Sequence, residues 1–224
     1  MGDVRVKICG ICSLEDAHAA RELGANYLGM ILSQGFDRSL LPDQAVEIGL
    51  TVDAPLVAVF VDESVDEVQR IAELIGISVI QLHGAESSDY VQELHNRGGW
   101  EIWKSVRVRE SGDVIETLNK FGDHVDGVLL DAWHPDSPGG SGASFAWEEV
   151  SSVRDIFPPN VRLIVAGGLT PDNVEQAARI LSPDVVDVSS GVELSPRIKD
   201  HALILEFVRN VQIIETPVID IGHR

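Results

Sequence analysis

The chain has few cysteines, few basic residues and no long apolar run. Its only cysteines, Cys9 and Cys12, are too few and too close together for a disulfide framework. No run approaches the length of a membrane span, and residues 1–4 lead into a strand pattern without a signal peptide, so we expect a cytoplasmic protein. Lys and Arg number 17 against 36 Asp and Glu, a formal net charge of −19. This balance argues against nucleic acid and anionic membranes as partners.

What the chain does have is a repeated alternation of short apolar runs and helical patterns. Strand-like runs lie at residues 4–8, 27–32, 56–61, 78–82, 101–106, 127–130, 163–166 and 185–188. Helical patterns lie between most of them, at residues 13–23, 65–75, 87–94 and 172–181, and a last one at 199–211. The second and sixth helices have the weakest patterns.

This alternation predicts an α/β fold, most simply a (β/α)8 TIM barrel with a single domain over residues 1–224. A short C-terminal extension is expected from about residue 213. An open doubly wound sheet is the alternative, but its G-x-G-x-x-G fingerprint is absent after the first strand.

Two glycine turns follow the seventh and eighth predicted strands. They contain Gly167 and Gly168, then Ser189, Ser190 and Gly191. Glycine lets backbone N–H groups approach an anion closely, and barrels often bind phosphate after these two strands. We therefore expect a phosphate-binding corner, although a single such turn would be an ordinary strand end.

Cys9 ends the first predicted strand and is a candidate catalytic thiol. With Cys12 it forms C-G-I-C, which has the spacing of a redox or metal motif, but the matching fold or second pair is absent. A merely buried cysteine is the other alternative. Lys7 precedes Cys9 on the strand, and its side chain is expected on the opposite face of the pleat, where it would be a poor activator.

Asp131 ends the sixth strand in L-L-D and is a candidate proton donor, or a carboxylate that holds the following loop. That loop, residues 133–142, is either a glycine-rich lid or a plain connector.

Three more polar residues are placed where barrel strands should end. The guanidinium of Arg38 suits a carboxylate or phosphate, although a surface role remains open. His83, in Q-L-H-G, is a substrate contact or a structural hydrogen bonder. Asp187, in V-D-V-S-S-G, orients the site or the substrate hydroxyls, or is structural. No cluster has metal-ligand spacing, so acid–base chemistry on a small phosphorylated molecule fits best.

The motifs V-K-I-C-G, G-A-N-Y-L-G, V-A-V-F-V, I-Q-L-H-G, L-L-D, G-G-S-G, A-G-G-L-T-P-D-N and D-V-S-S-G-V-E occur in this order. On these motifs the chain resembles the phosphoribosylanthranilate isomerase family from about residue 4 to 211. The resemblance implies a barrel that catalyses the Amadori rearrangement of N-(5-phosphoribosyl)anthranilate in tryptophan biosynthesis, with no metal or organic cofactor and as a monomer or homodimer.

The same resemblance implies roles for individual residues. Cys9 corresponds to the general base, Asp131 to the general acid and Arg38 to the arginine that meets the anthranilate carboxylate. Gly168, Ser190 and Gly191 fall in the turns that hold the phosphate. At residues 33–37 the chain has S-Q-G-F-D, where the family usually has Tyr or His followed by Pro, Lys, Ser and Pro.

Two kinds of alternative remain. One is a related barrel enzyme, such as the histidine-pathway isomerase, which has Asp at the end of its first strand, or indole-glycerol-phosphate synthase. The other is a non-catalytic sensor of phosphorylated ligands. Cys9 disfavours the histidine-pathway isomerase, and the presence of both Cys9 and Asp131 disfavours the sensor.

Overall fold

A computed structural model of the chain describes residues 4–132 and 147–213. Eight parallel strands form a closed barrel in the order β1 to β8, because β8 pairs with β1 as well as with β7. The predicted (β/α)8 fold is thereby confirmed. The strands are β1 Arg5–Ile8, β2 Tyr27–Ile31, β3 Leu56–Phe60, β4 Val79–Leu82, β5 Glu101–Val108, β6 Gly127–Ala132, β7 Arg162–Val165 and β8 Val185–Val188.

Helices follow the strands around the barrel. They are α1 Leu14–Glu22, α2 Pro42–Thr51, α3 Val65–Ile75, α4 Ser88–Arg97, α5 Ser111–Phe121, α6 Pro171–Leu181 and α7 His201–Ile213. Between β6 and β7 the described segment is a 3₁₀ helix, Trp147–Ile156, and another 3₁₀ turn, Ser190–Val192, follows β8. A small antiparallel hairpin, β9 Glu193–Ser195 and β10 Ile198–Lys199, precedes α7.

The helix starts follow from local chemistry. The hydroxyls of Ser13, Ser64 and Ser87 accept hydrogen bonds from backbone N–H groups three residues on, so each satisfies a donor that the first helical turn leaves free. Pro42 and Pro171 occupy first helical positions, where a missing N–H costs nothing. The sequence therefore sets where these helices begin.

The last helix begins later than its pattern predicts. The apolar period favours a helix from residue 199, but Lys199 belongs to β10 and α7 begins at His201. The reason is tertiary, because the Lys199 backbone N–H donates to Asp16 and its side chain is buried.

The strands separate two apolar cores. One fills the space between strands and helices, and the other fills the barrel itself. Inside the barrel, the rings of Tyr27 and Trp103 meet edge to face with centroids 5.1 Å apart. This interior core seals the barrel below its mouth, and it consists of Tyr27, Val57, Val79, Trp103, Leu129, Ile164, Ala166 and Val185.

Two predicted segments lie outside the described residues. They are the proposed lid at residues 133–142 and the C-terminal extension from about residue 213, and both stay predictions. Among the described helices, none has the length and apolar character needed to cross a membrane.

Candidate active site

The predicted chemical residues gather at the C-terminal end of the barrel. Cys9 and His83 directly follow β1 and β4, Asp131 lies near the end of β6, and Ser189 directly follows β8. Because parallel strands all end on the same side, these side chains share one mouth, which is where barrel enzymes place their chemistry.

Cys9 is buried next to an ion pair inside the barrel. Lys7 Nζ lies 3.0 Å from Asp187 Oδ1, and these two residues are register partners on β1 and β8. The prediction that Lys7 faces away from Cys9 was wrong, because residues two apart on a strand share a face. Both side chains also contact the space above Gly29 on β2.

The charges around Cys9 act in opposite directions on its thiol. Burial is the largest effect and raises the pKa of Cys9, and the carboxylate of Asp187 raises it further. The ammonium groups of Lys7 and Lys199 lower it, without cancelling the rise. Burial alone would lower the pKa of Lys7, but its pairing with Asp187 holds that pKa above its ordinary value, so Lys7 is charged.

Asp131 faces a histidine at the mouth. Its Oδ2 lies 3.4 Å from His83 Nε2, and the Asp131 side chain is 28% exposed. The other ring nitrogen of His83 lies 3.0 Å from the amide nitrogen of Gln81. His83 therefore lies between the Gln81 amide and the Asp131 carboxylate.

The loop that carries His83 is tied to the preceding loop. The backbone N–H groups of Asp62 and Gly84 both donate to Glu86, and Ala85 N donates to Asp62 Oδ1 at 2.6 Å. Lys104 Nζ, on β5, donates to Glu86 Oε2 at 2.9 Å. Asp62, which follows β3, therefore serves to connect these two loops.

Arg38 is held by a buried carboxylate. Its Nε and Nη2 donate to the two oxygens of Glu193 at 2.8 and 2.6 Å, while Lys199 Nζ donates to the same carboxylate at 2.8 Å. Burial opposes the charge on Glu193, but the two cations hold its pKa below the usual range. The side-on pairing occupies one edge of the guanidinium, and among the described residues no acceptor is bonded to Nη1.

The two glycine turns touch each other. Gly167 and Gly168 have φ angles of 82° and 68°, which side chains with a Cβ rarely adopt. A Cβ on Gly191 would lie 1.9 Å from the carbonyl oxygen of Leu169, so only glycine permits this approach. The turns after β7 and β8 thus form one corner.

Side chains outside the turns fix their shape. Asn173 accepts a hydrogen bond from Thr170 N at 2.8 Å and donates to the Gly168 carbonyl at 2.9 Å. Lys199 Nζ donates to the Ser189 carbonyl at 3.1 Å. The backbone of the corner is therefore held in place from both sides.

Asp187 lies deeper than predicted for a residue of the mouth. It lies on β8, two residues before Ser189, and its buried side chain pairs with Lys7. Its contact with substrate hydroxyls stays a prediction.

Sequence reasoning missed four residues of this site, namely Lys7, Asn173, Glu193 and Lys199. The period of two along β1 could have placed Lys7 beside Cys9. Asn173 and Glu193 lie within the motifs named above, but nothing in those motifs indicates that their side chains would support the site. Lys199 is the first residue of the last predicted helical pattern. Lys7 and Glu193 have partners far along the chain, Asp187 and Arg38, so no local pattern indicated these pairs.

The structure shows the state of the two cysteines. Cys9 and Cys12 are both free thiols, and Cys12 Sγ lies 3.5 Å from the carbonyls of Gly10 and Arg38. Within residues 4–132 and 147–213, no three His, Cys, Asp or Glu side chains are grouped as metal ligands.

Comparison with known proteins gives a consistent result. A family model described as N-(5'phosphoribosyl)anthranilate (PRA) isomerase matches residues 6–210. The N-(5'-phosphoribosyl)anthranilate isomerase of Trichlorobacter lovleyi is 38% identical over 213 residues, 93% of this chain and 98% of that protein.

Solved structures agree in fold. Monomers of the dimeric enzyme from Thermotoga maritima match with a TM-score of 0.82 and 34% identity, over 93% of this chain and 98% of that one. A phosphoribosyl anthranilate isomerase in complex with reduced 1-(o-carboxyphenylamino)-1-deoxyribulose 5-phosphate matches with a TM-score of 0.82 and 33% identity, over the same shares of the two chains.

Proposed function

The chain belongs to the N-(5'-phosphoribosyl)anthranilate isomerase family, and from that membership we propose that Cys9 is its general base and Asp131 its general acid. The reaction is the Amadori rearrangement of N-(5-phosphoribosyl)anthranilate to 1-(2-carboxyphenylamino)-1-deoxyribulose 5-phosphate, a step of tryptophan biosynthesis. The observation that carries the assignment is a thiol and a carboxylate at the ends of β1 and β6, on the same mouth as the glycine corner.

The first step of the reaction requires an acid. Proton transfer to the furanose ring oxygen lets the C1–O bond break, and the nitrogen lone pair forms a Schiff base. Asp131 suits this role because its partly exposed carboxyl group can reach both solvent and substrate. His83 Nε2 lies 3.4 Å from Asp131 Oδ2, so this ring is placed to stabilise the carboxylate that remains after the proton has left.

The second step requires a base. The Cys9 thiolate removes the proton from C2 of the sugar, and the electrons of that C–H bond move into the Schiff base to give an enolamine. The enolamine then takes a proton at C1 and releases the proton of its C2 hydroxyl to give the ketone, and this exchange restores the Cys9 thiolate and the protonated Asp131. A buried thiolate is poorly hydrated, so it is available to the substrate as a base.

The glycine corner is the proposed phosphate site. Backbone N–H groups of Gly167, Gly168, Ser190 and Gly191 would donate to the phosphate oxygens, together with the hydroxyls of Ser189 and Ser190. This binding is remote from the reacting carbons, so its energy serves to position them between acid and base.

Arg38 is the proposed contact for the anthranilate carboxylate. The stem of Arg38 and the Ser189 hydroxyl lie 2.6 and 2.9 Å from the position that a Cβ would take on Gly10, the residue after Cys9. The guanidinium is therefore at the edge of the mouth, and its Nη1 edge is available for a carboxylate.

Replacing Glu193 with glutamine is expected to raise KM about tenfold with a smaller change in kcat. An amide cannot give Arg38 two charged acceptors, so the arginine loses its fixed orientation. Steady-state kinetics with substrate generated in situ measures this. Glu175→Gln, which removes an exposed ion pair with Arg179 on α6, is the control and should leave both constants unchanged. An unchanged KM in Glu193→Gln would contradict the positioning of Arg38.

The wider setting of the enzyme follows from the reaction. We propose a small phosphorylated substrate, no nucleic-acid partner and a cytoplasmic location, because the substrate is a charged intermediate of amino-acid biosynthesis. The protein is proposed to be a monomer or a homodimer, the T. maritima relative being a dimeric enzyme. The acid, the base and the binding groups all come from the chain, so no cofactor is proposed.

The direct test is turnover of N-(5-phosphoribosyl)anthranilate, generated in situ because it is labile. Its disappearance is followed by fluorescence in metal-free buffer, and inorganic phosphate should inhibit competitively if it occupies the glycine corner. Turnover of the histidine-pathway substrate instead, with none of the anthranilate compound, would favour the related barrel isomerase. A folded protein that binds the phosphorylated ligand without turnover would favour a sensor.

A further inference from the structure

The ion pair between Lys7 and Asp187 lies in an unusual place. Lys7 is fully buried and Asp187 nearly so, directly above the apolar core of the barrel. Removing two charges from water is costly, and apolar residues of similar size often stabilise such a position as well or better. A purely structural role therefore explains this pair poorly, and its surroundings indicate what else it does.

The space above Gly29 brings the ammonium and the thiol together. A Cβ built on Gly29 would lie 2.9 Å from Cys9 Sγ and 3.0 Å from Lys7 Nζ. Both atoms therefore surround the same small space, which exists because β2 carries a glycine there. The Lys7 ammonium thus has the Asp187 carboxylate on one side and the Cys9 thiol nearby.

We propose that Lys7 is a positioning residue whose ammonium stabilises the Cys9 thiolate, and that Asp187 holds this ammonium in place. This inference rests on the proposed role of Cys9 as the base. Lys7 transfers no proton in it: the thiolate takes the C2 proton and becomes a thiol, while Lys7 stays charged throughout the cycle.

The charged groups that face Cys9 support this role. They are Lys7 on its own strand, Asp187 on β8 and Lys199 on β10. Burial and Asp187 raise the pKa of Cys9, and among these groups Lys7 opposes them most strongly. Without the Lys7 charge, burial would leave the thiol protonated further into the alkaline range.

The test measures how fast Cys9 reacts with iodoacetamide as a function of pH. The thiolate displaces iodide, so the midpoint of the rate profile reports the pKa of Cys9 directly. All proteins carry Cys12→Ser, which removes the second thiol. In Lys7→Met we expect the midpoint to move upward by about one pH unit or more. At neutral pH kcat should fall about tenfold or more and recover at higher pH, with KM little changed.

Three controls make the result specific. Lys7→Gln loses the charge but can still donate to Asp187, so it replaces Lys7→Met if the apolar variant fails to fold, and the same shift is expected. Lys7→Arg keeps a charge and should restore part of the profile. Lys104→Met removes another buried lysine with a carboxylate partner, Glu86, and should leave the Cys9 midpoint unchanged.

The outcomes separate this inference from the proposed function. An unchanged midpoint and pH profile in folded Lys7→Met or Lys7→Gln would overturn the role of Lys7. Turnover that persists in Cys9→Ala would instead overturn Cys9 as the base. Because alkylation is measured without substrate, the two failures cannot be confused.

Discussion

Replacing Asp131 with asparagine is expected to lower kcat by about 10² to 10⁴, the usual contribution of a general acid. Asparagine has the shape of the carboxyl group but cannot transfer a proton to the ring oxygen. KM should change little, because the phosphate and carboxylate contacts are made elsewhere.

Single-turnover kinetics with the in situ substrate tests this expectation. Asp53→Asn is the matched control, because Asp53 is exposed between the end of α2 and the start of β3, at the end of the barrel opposite the mouth. A folded Asp131→Asn variant with kcat within tenfold of the parent would show that another group opens the ring.

Replacing Cys9 with alanine is expected to abolish measurable turnover, a loss on the order of 10³ or more. Alanine has no ionisable group, and the only other cysteine, Cys12, has its thiol directed at the carbonyls of Gly10 and Arg38. Ring opening by Asp131 should still occur, but the C2 proton would stay in place. The variant should therefore bind ligand normally and fail at the second step.

Binding and chemistry can be measured separately in this variant. Reduced 1-(o-carboxyphenylamino)-1-deoxyribulose 5-phosphate should bind Cys9→Ala with an affinity within a few fold of the parent. In deuterated water the parent should place deuterium at C1 of the product, whereas the variant should form no labelled product. Cys12→Ser is the control and should keep its turnover. Activity of Cys9→Ala near that of the parent would refute the assignment.

Residues inside one strand or turn were predictable from local patterns. L-L-D placed Asp131 at a strand end, V-K-I-C placed Cys9 at another, and the glycines marked the turns after β7 and β8. The same period of two also fixes the face of Lys7, because residues two apart on a strand share a face, so Lys7 lies beside Cys9. The start of helix α7 was not predictable in this way. The apolar period indicated a helix from Lys199, but Lys199 is buried in β10 by tertiary contacts and the helix begins two residues later.

The sequence by itself determined the alternation of strands and helices, and hence the barrel and the common mouth, because side-chain periodicity and turn chemistry act over a few residues. Only the tertiary structure decided which charges meet. Lys7 pairs with Asp187 across 180 positions and Arg38 with Glu193 across 155, in both cases because barrel closure brings β1 and the loop after β2 beside β8 and the hairpin that follows it. No local pattern encodes such a pairing, since it depends on register between distant strands.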